Sequence, residues 1–138
     1  MFSFRDGFFP SQFTEIKEAF KRIKRENEYD LVFTHYREDQ HQDHKLISEL
    51  TWNTLRNHQI LKYEVIKWDG DIGNPNVYIE IPKELAVMKN RILQDCFISQ
   101  KSKHWFTQES FTSSLRMRGI ESANHYAEAF YGRKILVS

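Results

Sequence analysis

A short β-rich run, "YDLVFTH" from Tyr29 to His35, sits between two stretches whose apolar residues recur at helical spacing. This order limits the fold more than any other feature. The run is apolar at its centre and reads as a strand buried on both faces of a parallel sheet. Ahead of it, Phe13, Ile16, Phe20 and Ile23 make one helical stripe, and Ser11, after Pro10, is placed to cap that helix. Lys17, Lys21, Arg22 and Lys24 fall mostly off the stripe and read as a solvated face. Behind the run, a polar loop leads into a second helix with Leu46, Ile47, Leu50 and Thr54 turned inward. Strand, loop and helix in that order put the loop at the carboxyl end of a strand, where open α/β sheets bind their ligands.

The remainder continues the alternation. "ILKYEVIKW" (Ile60 to Trp68) reads as a strand, "DGDIGNPN" as a turn cluster and "NVYIEI" as a strand. Pro82 stands at a helix start, and Leu85, Met88, Ile92 and Cys96 form one stripe, so Cys96 reads as a small core residue. "HWFTQESFTSSLRMRG" is expected to be helical and to end at Gly119, and "EAFYGRKILV" to close as a strand. The order α, β, α, β, β, α, α, β favours a single α/β domain over residues 1–138.

Composition narrows the partners. Forty per cent of the 138 residues are hydrophobic, enough for one core. Twenty Lys and Arg nearly balance nineteen Asp and Glu, so bulk charge attracts neither nucleic acid nor anionic lipid. A lone cysteine excludes an internal disulfide. With no apolar run of membrane-spanning length, the expectation is no membrane span and a cytoplasmic location.

The chemistry concentrates in "EDQHQDHK", Glu38 to Lys45. One reading is a polar turn in which Asp43 is only a helix cap. The other is half of an active site. With the helix starting near Asp43, His44 is held in the first turn, where a neutral imidazole can bind zinc. His41 faces the same crevice, and Asp43 can bond a ring N–H of His41, fixing its tautomer and favouring a cation able to stabilise an oxyanion. A catalytic zinc takes three protein ligands and a water. His35, at the strand end, is a further candidate, but no obvious general base is in view.

These residues bring a family into view. "DLVFTHYREDQHQDHKLI" resembles the second motif of the LmbE/PIG-L family of zinc-dependent N-acetylglucosaminyl deacetylases, usually His-Pro-Asp-His after a strand ending in Thr-His. "YEVIKWDGDIGNPNVYIEIP", "SQKSKHWF" and "RMRGIESANHYAEAFYGRKI" are similar to later parts of the same family. The resemblance implies a Rossmann-like α/β fold with zinc at the carboxyl ends of the strands. It implies His44 as a metal ligand, His41 as the catalytic group on the oxyanion or the leaving amine, and Asp43 as the carboxylate that orients its neighbours. The implied substrate is an N-acetylated amino sugar within a glycan or glycoconjugate.

The family's earlier His-Pro-Asp-Asp motif, source of two zinc ligands and the general base, has no counterpart here. None of Pro10, Pro75 and Pro82 follows a histidine. The expectation is a fold truncated on its amino-terminal side. Zinc binding by this chain alone should be weak or absent, and the chain should associate with itself or with a missing amino-terminal half. A non-catalytic interaction module with a vacant metal site is the alternative. Lys101, Lys103 and Trp105 are candidates for a sugar site or for a charged loop over a core Trp. Arg116 and Arg118 point to different helix faces, with one or both solvated.

Overall fold

The computed structural model describes residues 2–135 and 137. Contacts divide them into two compact units. The first comprises residues 2–65, 71–74 and those from Tyr131 onward; the second comprises Ile66–Gly70 and Pro75–Phe130.

In the first unit, helix α1 (Phe13–Glu26) precedes strand β1 (Leu31–His35), helix α2 (Gln42–Leu55) and strand β2 (Gln59–Tyr63). β1 and β2 run parallel, with Leu31 opposite Gln59 and His35 opposite Tyr63, so β1, α2 and β2 form a βαβ crossover. Ile16, Ala19, Leu50, Leu55, Ile60 and Leu61 supply its buried apolar side chains. α2 is tied to β1 by a 2.9 Å hydroxyl pair between Thr34 and Thr51, and the Thr51 hydroxyl also bonds the Ile47 carbonyl at 2.7 Å.

Three sequence expectations about these elements fail. Ser11 does not cap α1; it lies in a 3-10 turn (Phe9–Gln12), and its hydroxyl donates back to the Phe8 carbonyl at 2.8 Å. β1 is not buried on both faces. Thr34 is buried beneath α2, but Leu31 and Phe33, on the other pleat, are 42% and 51% exposed. β2 stops at Tyr63, where its partner stops, instead of running to Trp68.

In the second unit, β3 (Val77–Glu80) and β4 (Ala127–Gly132, its last two residues belonging to the first unit) pair antiparallel, with Val77 opposite Phe130. Helices α3 (Lys83–Cys96) and α4 (Gln108–Glu121) pack together, and Asn90 Nδ2 donates to Thr112 Oγ1 at 2.7 Å. α3 is rotated from the expected setting. Its buried positions are Ala86 and Asn90, whereas Leu85, Met88 and Ile92 are about half exposed and Cys96 is exposed rather than in the core. Asn90 donates its amide to the neighbouring helix, so the polar residue goes inward. α4 starts at Gln108, capped by Thr107 Oγ1, and runs two residues past Gly119. Arg118 is buried and forks onto Glu121, while Arg116 lies exposed and bonds the Asn124 and His125 carbonyls.

The element order matches the order read from the sequence. The chain is α/β; among its strand pairs, β1 with β2 is parallel and β3 with β4 is antiparallel. Among the described residues, no helix is long and apolar enough to cross a membrane.

Candidate metal centre

β1 delivers His35 to the end of the parallel pair, and the Tyr36 amide carries the ladder one step further onto the Tyr63 carbonyl at 2.9 Å. The chain then turns back, with the Asp39 amide bonding the Tyr36 carbonyl at 3.3 Å. This turn sinks the Asp39 side chain to 1% exposure. Its Oδ1 accepts from the His41 amide at 2.8 Å, and its Oδ2 lies 2.8 Å from His44 Nδ1. One buried carboxylate thereby holds both the entry to α2 and the imidazole in its first turn.

The imidazoles form a column. The His35 and His44 rings stack with centroids 3.9 Å apart and planes within 6°, and the His41 ring lies 4.5 Å from that of His44. His35 Nε2 is 3.4 Å from the Tyr63 hydroxyl. Burial, then the charge of Asp39, pushes the pKa of that hydroxyl upward. One ligand atom from each of His35, Asp39 and His44 falls in a group whose members all lie within 4.8 Å of one another. Two imidazole nitrogens and a carboxylate oxygen make a donor set that suits zinc and leaves its fourth position to water. The residues present therefore fit the metal that the sequence resemblance implies.

His44 stands in the donor group and His41 stands beside it. Asp43 is placed differently from the expected contact. Its carboxylate, 3% exposed, accepts from the Gly7 amide at 2.6 Å and the Phe9 amide at 3.1 Å, and so pins the amino-terminal segment to α2. His41 meets Asp43 the other way round: His41 Nδ1 accepts the Asp43 amide at 3.3 Å and serves as the cap of α2. Two short-range demands compete for Asp43. Two main-chain donors at hydrogen-bond distance take both of its oxygens, leaving the imidazole to the amide.

Asp39 is the residue that sequence reasoning missed. Five positions before His44, it reads as a loop acid, and only the turn that folds Asp39 back onto Tyr36 brings it to the imidazole. Tyr36 itself stacks on Tyr131 at 3.8 Å. The Tyr131 hydroxyl bonds Glu64, and the Gly73 amide donates to both at 3.0 and 3.1 Å. Lys103 and Trp105, in the second unit, gather around the exposed Trp68. The Lys103 ammonium lies 5.1 Å from the Trp68 ring centroid, and the Trp105 ring lies 6.2 Å away, edge-on.

The fold and the site define an α/β protein with a histidine–aspartate donor group at the carboxyl end of a parallel strand pair. No family model matches the chain, and no curated protein matches it. Among solved structures it is similar to the conserved protein TT1542 from Thermus thermophilus, with a TM-score of 0.72 at 16% identity. The match covers 99% of this chain and 65% of that one. The likeness is one of fold, and the chain spans 65% of the length of the protein it matches.

Proposed function

We propose that this chain is the imidazole-bearing, metal-holding part of a zinc-dependent amide hydrolase. It would remove the N-acetyl group of an N-acetylglucosamine-containing glycan or glycoconjugate. The observation that carries the reading is the His35–Asp39–His44 donor group beside His41. The resemblance of His41-Gln42-Asp43-His44 to a deacetylase motif supplies the reaction class. Zinc, when bound, lowers the pKa of a coordinated water and polarises a carbonyl. The chain's own residues would do the rest: His35, Asp39 and His44 hold the ion, Asp39 fixes the His44 ring, and His41 donates a proton to the oxyanion or the departing amine. The general base would come from a complementing amino-terminal segment or from a second copy of the chain.

The second reading is an interaction module that keeps the donor group without turnover. It is favoured by the position of Asp43, whose carboxylate is committed to the Gly7 and Phe9 amides. Zinc titration of the chelator-treated protein tests both, alongside acetate release from N-acetylglucosamine conjugates. Because three donors stand together where the sequence pointed to weak or absent binding, one-to-one binding is the expected result, weakened in Asp39→Asn and in His44→Ala, with no acetate released by this chain alone. Absent binding, or binding indifferent to both substitutions, overturns the metal reading. Binding that never leads to acetate release, even with a complementing segment supplied, leaves the module.

A further inference from the structure

Away from the donor group, the first unit gathers positive charge around one indole. Lys62 on β2 is 4% exposed, and its ammonium lies 5.9 Å from the centroid of the Trp52 ring on α2. After β4, the Arg133 guanidinium lies 4.0 Å and the Lys134 ammonium 5.6 Å from the same centroid. Arg37, in the loop after β1, is close enough to act on Lys62 by charge. Burial first, then Arg37 and Arg133, drives the Lys62 pKa down, and Glu38 alone opposes them. Glu38 is already engaged by Arg37 at 3.7 Å on the exposed rim.

Among the described residues, no carboxylate forms an ion pair with Lys62, Arg133 or Lys134. Counting Lys62 itself, four cations against one carboxylate leave the cluster an excess of three positive charges. A lysine is seldom taken out of water without a counter-charge, because desolvation and like-charge repulsion add. The aromatic ring offers only a partial substitute.

We infer that the Lys62–Arg133–Lys134 cluster around Trp52, with Arg37 in the loop after β1 acting on Lys62, binds a dianionic oxyanion, the phosphate or diphosphate group of a small molecule. A guanidinium presents a planar fork to phosphate oxygens, and a buried ammonium adds a point charge that solvent screens poorly. The excess of three charges suits a dianion better than a single carboxylate. The site adjoins the donor group along the chain: Arg37 is two residues from Asp39, and Lys62 precedes Tyr63, whose hydroxyl meets His35. The inference stands on charge and burial and does not depend on a metal.

Calorimetric titration of the full chain with inorganic phosphate and pyrophosphate tests it, at low ionic strength and in the presence of EDTA. Saturable one-to-one binding is expected, tighter for pyrophosphate and weaker as salt rises. Lys62→Met and Arg133→Gln should each weaken it at least about tenfold, while Lys24→Met on the exposed side of α1 leaves it unchanged. Lys62→Met puts an apolar chain of similar length in a buried place, and Arg133→Gln changes an exposed residue, so at least one variant folds. No saturable binding, or binding indifferent to both substitutions, overturns the inference. So does a single-stranded RNA oligonucleotide that binds more tightly than pyrophosphate and is weakened by the same changes, because the cluster would then serve nucleic acid.

Discussion

Asp39 Oδ2 lies 2.8 Å from His44 Nδ1, with the aspartate 1% exposed. A buried carboxylate against an imidazole fixes the ring's orientation, and even one that only orients a ligating imidazole governs metal affinity about 10–100-fold. Asp39→Asn keeps the shape and can still accept the His41 amide, so the fold should survive. Zinc affinity should fall at least about tenfold, measured by competition with a chromophoric chelator while circular dichroism follows the fold. An unchanged affinity would place the metal elsewhere.

Asp43→Ala should act on stability. It strands the Gly7 and Phe9 amides, which now donate to a carboxylate 3% exposed. Losing such charge-assisted bonds costs about 2–3 kcal/mol. Urea unfolding reads this loss, and zinc affinity per folded molecule should stay within about threefold, since Asp43 is outside the donor group. A variant with wild-type stability and no zinc binding would return Asp43 to the site.

The order of elements was legible because helical and strand periods alternate along the chain, and each apolar stripe needs a partner. Which face a stripe turns inward was less legible. On α3 the apolar residues Leu85, Met88 and Ile92 stay half exposed, whereas Ala86 and Asn90 are buried and Asn90 bonds Thr112 of α4. His44 was legible through its place in a helix's first turn. Asp39 was not, because it reaches His44 through a backward turn that no local period records. Asp43 was misplaced because its partners, Gly7 and Phe9, lie more than thirty residues away.

Gly119 in α4 admits no side chain. A Cβ there would sit 2.5 Å from the His125 carbonyl oxygen and 2.9 Å from that of Asn124, both main-chain atoms that cannot swing aside. Gly119→Ala should cost about 2–3 kcal/mol. Ala123, in the same turn, holds φ at 58°, a region that costs an L-residue about 1–2 kcal/mol. Ala123→Gly should therefore leave stability unchanged or raise it by up to about 1 kcal/mol. Paired thermal melts should show a lower midpoint for Gly119→Ala and an unchanged or higher one for Ala123→Gly.

Stability should fall in alkali. Burial, then Glu64, raises the Tyr131 pKa well above its ordinary value, and burial raises Tyr36 and Tyr63 in the same direction. A group raised in the folded state gives its full stability below its unfolded pKa, about 10, and loses it as pH climbs towards the folded value. Lys62 runs the other way. Its folded pKa is lowered, so its cost to folding eases as pH rises towards the unfolded value of 10.5. The tyrosines outnumber it, so urea midpoints should drop above about pH 10. Tyr131→Phe should flatten that drop, and a wild-type slope in the variant would count against the assignment.

Leu31 and Phe33 leave an apolar strip on β1, continuous with a groove of about 320 Å³ lined by Phe20, Ile23, Val32 and Leu55 among others. β1 also lies at the edge of its sheet. Edge strands of soluble proteins usually carry a charge, a bulge or a proline against association, and "LVFTH" has no lysine, arginine or proline. Sedimentation velocity over a range of concentrations should show association that increases with concentration, reduced by Phe33→Lys, which puts a charge in the middle of the strip. Apolar dye binding should fall in the same variant. A wild-type chain that stays monomeric throughout, melts cooperatively and binds no dye would show that this face needs no cover.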